Sequence, residues 1–347
     1  MFKIGNRIIG EGYPTYFIAE LSCNHHGDIN KALELVRLAK EAGADAIKTQ
    51  TYTGDTITFK SNKECFRLKG TKWDEKKNLW ELFNSAFTPW EWNDKIKLEC
   101  EKLGLDFFSS VFDETSVDYC ENLGVPAYKI ASMEIVDIPL LKKVAKTKKP
   151  IVVSTGMASL AEIEEAVNTL KENGAEYISL LKCTSSYPAK PEDANVITIK
   201  NLAETFNLVS GLSDHTLGIG VPAAACSLGA RIVEKHFIKN REEGGPDSSF
   251  SLEPSEFKEM VNVVRVIEKA IGTVKYGGVK GEVRIMRRSL FVIKNMKKGD
   301  TFIEGENVRS IRPGNGLHTR YLEEVVGKKA STDIEEGTPL NWDLVSN

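Results

Sequence analysis

The sequence predicts an α/β protein: a (β/α)8 TIM barrel followed by a small C-terminal β-rich domain. Three observations carry this expectation. Short β-branched or aromatic runs alternate with amphipathic, helix-like stretches, which is the pattern of a parallel sheet built from β-α-β units. The segments EAGADAIK, KENGAEYISL and SLGARIVEKH each show one helix end, a glycine stop and the next strand. After about Gly272 the periodicity changes, and a glycine-rich stretch from Tyr276 to Gly281 leads into a run of a different kind.

Eight strands are expected, at Tyr16 to Glu20, Ala44 to Lys48, Asp106 to Ser109, Ala127 to Ser132, Ile151 to Ser154, Tyr177 to Leu181, Leu208 to Leu212 and Arg231 to His236. Helical patterns such as Ile29 to Ala42 and Leu160 to Asn173 lie between them, each ending near a glycine. A closed barrel accounts for this repetition better than an open doubly wound sheet. The second and third strands are spaced about twice as far apart as the others, so Thr51 to Trp92 forms a long βα insertion. It carries Trp73, Trp80, Trp90 and Trp92 among charged residues, which suits either a helical excursion packed on the rim or a lid over a substrate. The uncharged run Thr216 to Ala230 contains Pro222 and is shorter than the roughly 20 residues a membrane helix needs, so a buried barrel helix is expected there. The barrel is assigned to residues 1–275, a linker to 276–287 and the second domain to 288–347. Turns at Lys298-Gly299-Asp300 and Gly327-Lys328-Lys329, and the segment Arg312-Pro313-Gly314-Asn315-Gly316, mark that domain as β-rich. A core of that size is marginal, so docking on a barrel would help it.

Composition excludes several classes. A net charge of −3 over 347 residues gives no basic field for nucleic acid. Residues Met1 to Gly10 lack the order of a signal peptide, so a cytoplasmic protein with no membrane partner is expected. The six cysteines have no CxxC spacing, which predicts reduced, mostly buried thiols rather than a disulfide framework or a zinc cluster.

Every expected strand ends in a polar or ionisable residue, and the C-terminal strand tips of such a barrel form its active-site face. In order these tips are Glu20 with Asn24 and His25, Lys48 and Gln50, Ser109 and Ser110, Lys129 with Ser132 and Glu134, and Ser154 with Thr155. The last three are Lys182 with Thr184 and Ser185, Ser213 with Asp214 and His215, and Glu234 with His236. Lysines buried at strand ends need an anion. Lys48 and Lys129, with hydroxyls from Ser110, Ser132, Ser154 and Ser213, are what a phosphate-like dianion requires. A buried lysine can instead form a Schiff base, and Lys182 is the best candidate for that chemistry. His215 and His236 fall on adjacent tips, where two imidazoles could share a divalent transition metal with carboxylate and water completing its shell. Glu20, Glu134, Glu234 and Asp247 are the carboxylates available as general bases. Metal, anion-binding residues and carboxylates together point to addition at a carbonyl, with the metal as Lewis acid.

The motifs AELSCNHHGD, YKIASME, IVVSTGM, KCTSSYPA, GLSDHT and EKHF, in this order, resemble those of the sialic (nonulosonic) acid synthases. The tail IRPGNGL resembles their SAF, or antifreeze-like, domain. That resemblance implies condensation of phosphoenolpyruvate with an aminosugar aldehyde, with a metal activating the carbonyl and phosphate leaving by C–O cleavage. Mn²⁺ is the implied metal, with Mg²⁺ or Co²⁺ as alternatives. By the same resemblance, His215 and His236 match metal ligands, and Lys48, Lys129, Ser132, Ser154 and Ser213 match the phosphoenolpyruvate site. Glu20 and Glu134 match active-site carboxylates, while Gln50, Tyr187 and Asp247 match sugar contacts. Arg312 matches an arginine inserted by the partner subunit, which implies a domain-swapped homodimer. Ser110 stands where relatives often have threonine, and Ser185 where the sialic branch often has asparagine; both keep an oxygen donor. The insertion and the segment DSSFSLEPSEF look most like the pseudaminic branch, whose substrate is 2,4-diacetamido-2,4,6-trideoxy-L-altrose. N-acetylmannosamine and the legionaminic precursor remain the alternatives.

Overall fold

A computed structural model describes residues 1–68, 76–278 and 284–346. Trp73 and the end of the glycine-rich linker lie outside the described residues. The chain divides into two compact units, Met1–Gly272 and Thr273–Asn347.

The first unit opens with an antiparallel pair, β1 (Phe2–Ile4) and β2 (Arg7–Ile9). Then β3 (Tyr16–Glu20), β4 (Ala46–Thr51), β5 (Asp106–Val111), β6 (Tyr128–Ile130), β7 (Ile151–Ser154), β8 (Ile178–Cys183), β9 (Val209–Asp214) and β10 (Ile232–His236) follow. All eight are parallel, and β10 pairs back onto β3, closing the barrel. The expected strands appear in their expected order, but four run farther. β4 ends at Thr51 rather than Lys48, β5 at Val111 rather than Ser109, β8 at Cys183 rather than Leu181, and β9 at Asp214 rather than Leu212. Polar side chains that read as strand ends are still inside the hydrogen-bonded ladder, because one face of each tip opens on a polar cavity. β6 is shorter than expected, since the chain turns after Ile130 into a 3₁₀ helix at Glu134–Val136.

Surrounding helices start and stop on local signals. Asp28 caps Ile29–Glu41 by accepting the Asn30 N–H, and Ser159 with Glu162 forms a capping box on Leu160–Glu172. The Glu114–Leu123 helix ends on Gly124 at φ +72°, in the left-handed region that glycine adopts without steric cost. The run Thr216 to Ala230 departs from expectation: only Gly220–Ser227 is helical, and Leu217 is exposed. Its small residues carry little apolar area, so only Pro222, Ala225 and Cys226 are drawn inside that helix.

Two short helices, Gly54–Ile57 and Leu79–Ala86, organise the described part of the insertion. Its indoles are occupied. Trp90 donates to the Tyr52 carbonyl at 3.0 Å, Trp80 donates to Asp55 at 2.8 Å, and Trp92 packs edge-on against His25. All six cysteines are free and only Cys65 is exposed. Among the described residues no helix is long and apolar enough to cross a membrane.

The second unit pairs β11 (Ser289–Val292) with β12 (Val308–Ile311), and β13 (Lys329–Ala330) with β14 (Val345–Ser346), both antiparallel. Its own core is built on Leu290, Val292, Met296, Phe302, Val308 and Leu340.

Candidate active site

Side chains alternate between the two faces of a strand, so the parallel register decides which tips meet. Gln50 on β4 is opposite Ser110 on β5, and Ser110 is opposite Lys129 on β6. A cavity at the C-terminal ends of the strands is lined by Lys48, Gln50, Ser110, Lys129, Ser132, Ser154, Tyr187, Ser213, His215 and His236. These ten were singled out from sequence, and the fold brings them together. Glu20 lies against Lys48, and Asp247 lies within 3.5 Å of His236 Nδ1. Ser185 faces Ser132 across Gly156: a Cβ at that glycine would come within 2.3 Å of the Ser185 Oγ and 2.7 Å of the Ser132 Oγ. Arg312 is an exposed residue of the second unit, in the segment after β12.

The cavity floor is charged and buried. Lys48 is 3% exposed, is ion-paired with Glu20, donates to Ser110 Oγ at 2.8 Å and stands 3.6 Å from Glu234. Burial raises the Glu20 pKa by more than the Lys48 charge lowers it. For Glu234 burial also pushes upward, but the charges of Lys129, Lys48 and His215 and the Ser213 hydroxyl together hold its pKa below the ordinary value. Lys129 differs from Lys48 in its partners. It is 2% exposed and donates to neutral oxygens, the Ile130 carbonyl at 2.9 Å and Ser154 Oγ at 2.6 Å. Among the described residues no carboxylate lies at ion-pair distance from it, and burial lowers its pKa. Glu234 offsets part of that burial from beyond ion-pair distance, and an anion bound against the ammonium would offset more.

On the other side of the cavity the two imidazoles stand with ring centroids 5.2 Å apart, and Phe250 packs against both. His215 Nδ1 is 3.0 Å from the Thr184 carbonyl, which accepts only from an N–H; a proton is therefore assigned to Nδ1, which leaves Nε2 as the nitrogen that can face a cation. That tautomer and the ring spacing suit two ligands of one cation. Among the described residues no cluster of three or more His, Cys, Asp or Glu side chains converges as a metal cage. The donor set therefore fits an open site of two histidines, with water and substrate oxygens completing the shell.

Glu134 sits in the 3₁₀ turn after β6, with Oε2 buried and without a hydrogen-bond partner among the described residues. Burial pushes its pKa up to about 7, against the pull of Lys129. Between the ordinary 4.5 and about 7 an unfolded chain has released this proton while the folded one keeps it. Stability from this group is thus full below pH 4.5, falls as pH rises through that window and levels off above it. Glu134→Gln removes the dependence, so thermal melts from pH 4 to 8 are expected to show the variant gaining on the parent as pH rises; parallel curves would contradict this.

Lys182 does not join the cavity. Its neighbour Cys183 lines it, so parity directs Lys182 to the opposite face of β8, where Nζ donates to the Cys183 carbonyl at 2.9 Å. Four cavity residues lie beyond the sequence reasoning. Ala131 sits between the counted Lys129 and Ser132, Phe112 and Met133 lie just past tips, and Cys183 reads from sequence as a buried thiol. Burial pushes that thiol up, but His215, Ser132 and Lys129 bring it down to about 7. Reading every second residue inward from Ser179 would have found it.

The NeuB family model matches residues 35–276, and the SAF domain model matches residues 287–346. The chain is 45% identical over 340 residues to the pseudaminic acid synthase of Campylobacter jejuni, covering 97% of this chain and 98% of that protein. The pseudaminic acid synthase of Helicobacter pylori is 42% identical over 333 residues, covering 95% and 97%. Among solved structures, the spore coat polysaccharide biosynthesis protein SpsE of Bacillus subtilis aligns with a TM-score of 0.69 at 34% identity, covering 100% of this chain and 99% of that one.

Proposed function

The chain belongs to the NeuB family and carries a SAF domain, and from that premise we propose that it condenses phosphoenolpyruvate with 2,4-diacetamido-2,4,6-trideoxy-L-altrose to give pseudaminic acid. The observation that carries this reading is Lys129, a buried cation whose contacts are neutral oxygens, in a pocket shared with Lys48 and the hydroxyls of Ser110, Ser132, Ser154 and Ser213. An anion of phosphoenolpyruvate's kind satisfies it.

In this reaction C3 of phosphoenolpyruvate attacks the sugar aldehyde, water adds at C2, and phosphate leaves with the bridging oxygen. Lys129, Lys48 and the serines hold the phosphate and carboxylate, and the barrel wall keeps bulk water away. His215 and His236 would hold a divalent metal, Mn²⁺ first and Mg²⁺ or Co²⁺ as substitutes, which when bound would supply Lewis-acid polarisation of the aldehyde. Asp247 orients the His236 ring and accepts from Ser22, while Gln50 reaches Glu20 and Ser22, so this side of the cavity presents donors and acceptors to a sugar. Glu134, poised near neutrality, can hold a proton at Oε2 and release it. Arg312, supplied by a second copy of the chain in a domain-swapped homodimer, would complete the sugar site; the sequence resemblance supports that assignment.

The choice of a 6-deoxy sugar rests on an apolar wall. Phe112 lines the cavity and is backed by Tyr52 at 5.1 Å, which in turn meets Phe83 of the insertion at 5.7 Å. A methyl group suits that wall better than a hydroxymethyl. The position of Lys182 favours this chemistry over a Schiff-base aldolase. Phosphoenolpyruvate labelled with ¹⁸O at the bridging position tests the bond cleaved: the label is expected in the released phosphate, and chelation should halt its release. Label retained in the organic product would contradict the reading.

A further inference from the structure

Asp214 on β9 and Lys235 on β10 are register partners, and each immediately precedes one of the two cavity histidines. Ser213, Glu234 and His236 line the cavity, so strand parity places Asp214 and Lys235 on the opposite face of the sheet. There Lys235 Nζ lies 2.5 Å from Asp214 Oδ2 and also donates to the Thr216 carbonyl. Asp214 accepts the Thr216 N–H at 3.0 Å and the Thr216 hydroxyl at 2.9 Å. His215 is therefore bracketed by two residues that are both tied to Lys235. Its own carbonyl accepts the Ala189 N–H at 2.9 Å. Lys235 and Thr216 are 0% exposed and Asp214 is 3% exposed.

A buried ion pair at such a depth is poor value as stabilisation alone, because well-packed apolar side chains would do as well or better; fixing register is its best-attested use. We propose that Asp214 and Lys235 are positioning residues that lock the tip of β9 to the tip of β10, so that the His215 and His236 imidazoles converge on one ligand. The proposal rests on reading those histidines as a cation site, and its test keeps the two claims apart.

The full chain, metal-free and labelled with ¹⁵N-histidine, is the material. It has five histidines, and loss of one signal in each of His215→Ala and His236→Ala assigns the pair. In the parent, His215 is expected as a single Nδ1–H tautomer, held by the Thr184 carbonyl. In the near-isosteric Asp214→Asn, and in Lys235→Met, that signal should move to tautomer-averaged values. Mn²⁺ affinity should fall by about 10- to 100-fold, the usual loss when a group that orients a ligand is removed. Phosphoenolpyruvate affinity should stay within about threefold, because only Ser213 of its proposed contacts stands on β9, while Lys48, Lys129, Ser110, Ser132 and Ser154 stand elsewhere. Lys235→Arg should restore much of the Mn²⁺ affinity. An unchanged His215 signal in both variants overturns the proposal, as does an equal loss of Mn²⁺ and phosphoenolpyruvate binding in Asp214→Asn, which would mark a general structural role. Should the parent take up no Mn²⁺, the cation reading fails on its own and the His215 signal still decides the positioning claim.

Discussion

Replacing either His215 or His236 with alanine is expected to lower turnover by about a thousandfold, the scale lost with one preorganised group that stabilises developing charge. The fold should survive. Both rings lie at the mouth of the barrel on strand tips, and the main structural bond lost with His215 is its contact to the Thr184 carbonyl. An unsatisfied carbonyl costs about 1–3 kcal/mol at most, and water entering the emptied site repays part of it. For a unit of this size each kcal/mol moves the melting temperature by about 2–4 °C. Turnover, Mn²⁺ uptake and thermal melts on the same preparations separate the two effects. Full activity in either variant would remove both histidines from the chemistry.

Lys48→Met is expected to have the largest effect on stability. The substitution keeps most of the side-chain volume but leaves Glu20, fully buried, and Glu234, 5% exposed, without the ammonium between them. Breaking such a buried pair by removing one partner costs about 3–5 kcal/mol. The sign of the pH dependence follows. The Glu20 pKa is already raised, and without Lys48 it rises further, so the variant should recover stability as pH falls and the carboxyl takes up a proton, and lose it as pH rises. The double variant Lys48→Met with Glu20→Gln should regain much of the loss, since no unpaired charge remains at that position. Urea denaturation at pH 5 and pH 8 measures both terms. Phosphoenolpyruvate binding should be lost in the single and the double variant alike; a double variant that is no more stable than the single one would contradict the charge argument.

The barrel was legible in the sequence because its signals are local. β-branched runs, caps such as Asp28 and Ser159, and glycine stops each act over a few residues and all agree on the same architecture. Much of the cavity was legible for a related reason: polar residues at the ends of apolar strands have few structural uses, so Lys48, Lys129, Ser154 and His236 announced themselves. What stayed hidden depends on parity and register. Lys182 and Cys183 are neighbours in sequence, and only the direction of each side chain separates the cavity residue from the one facing away. The Asp214–Lys235 pair needs the alignment of two strands before its members can be matched at all. Phe112 needed the turn after β5 to be placed. Arg312 belongs to a unit whose signature is legible, but the role proposed for it rests on the sequence resemblance alone.

One competition decides which sugar the enzyme takes. Purified protein with phosphoenolpyruvate and Mn²⁺ is offered 2,4-diacetamido-2,4,6-trideoxy-L-altrose, N-acetylmannosamine and the legionaminic precursor together, and the nine-carbon acids formed are resolved by mass and NMR. Pseudaminic acid should dominate, with phosphate released in equal amount. Product from N-acetylmannosamine or the legionaminic precursor alone would overturn the assignment to pseudaminic acid.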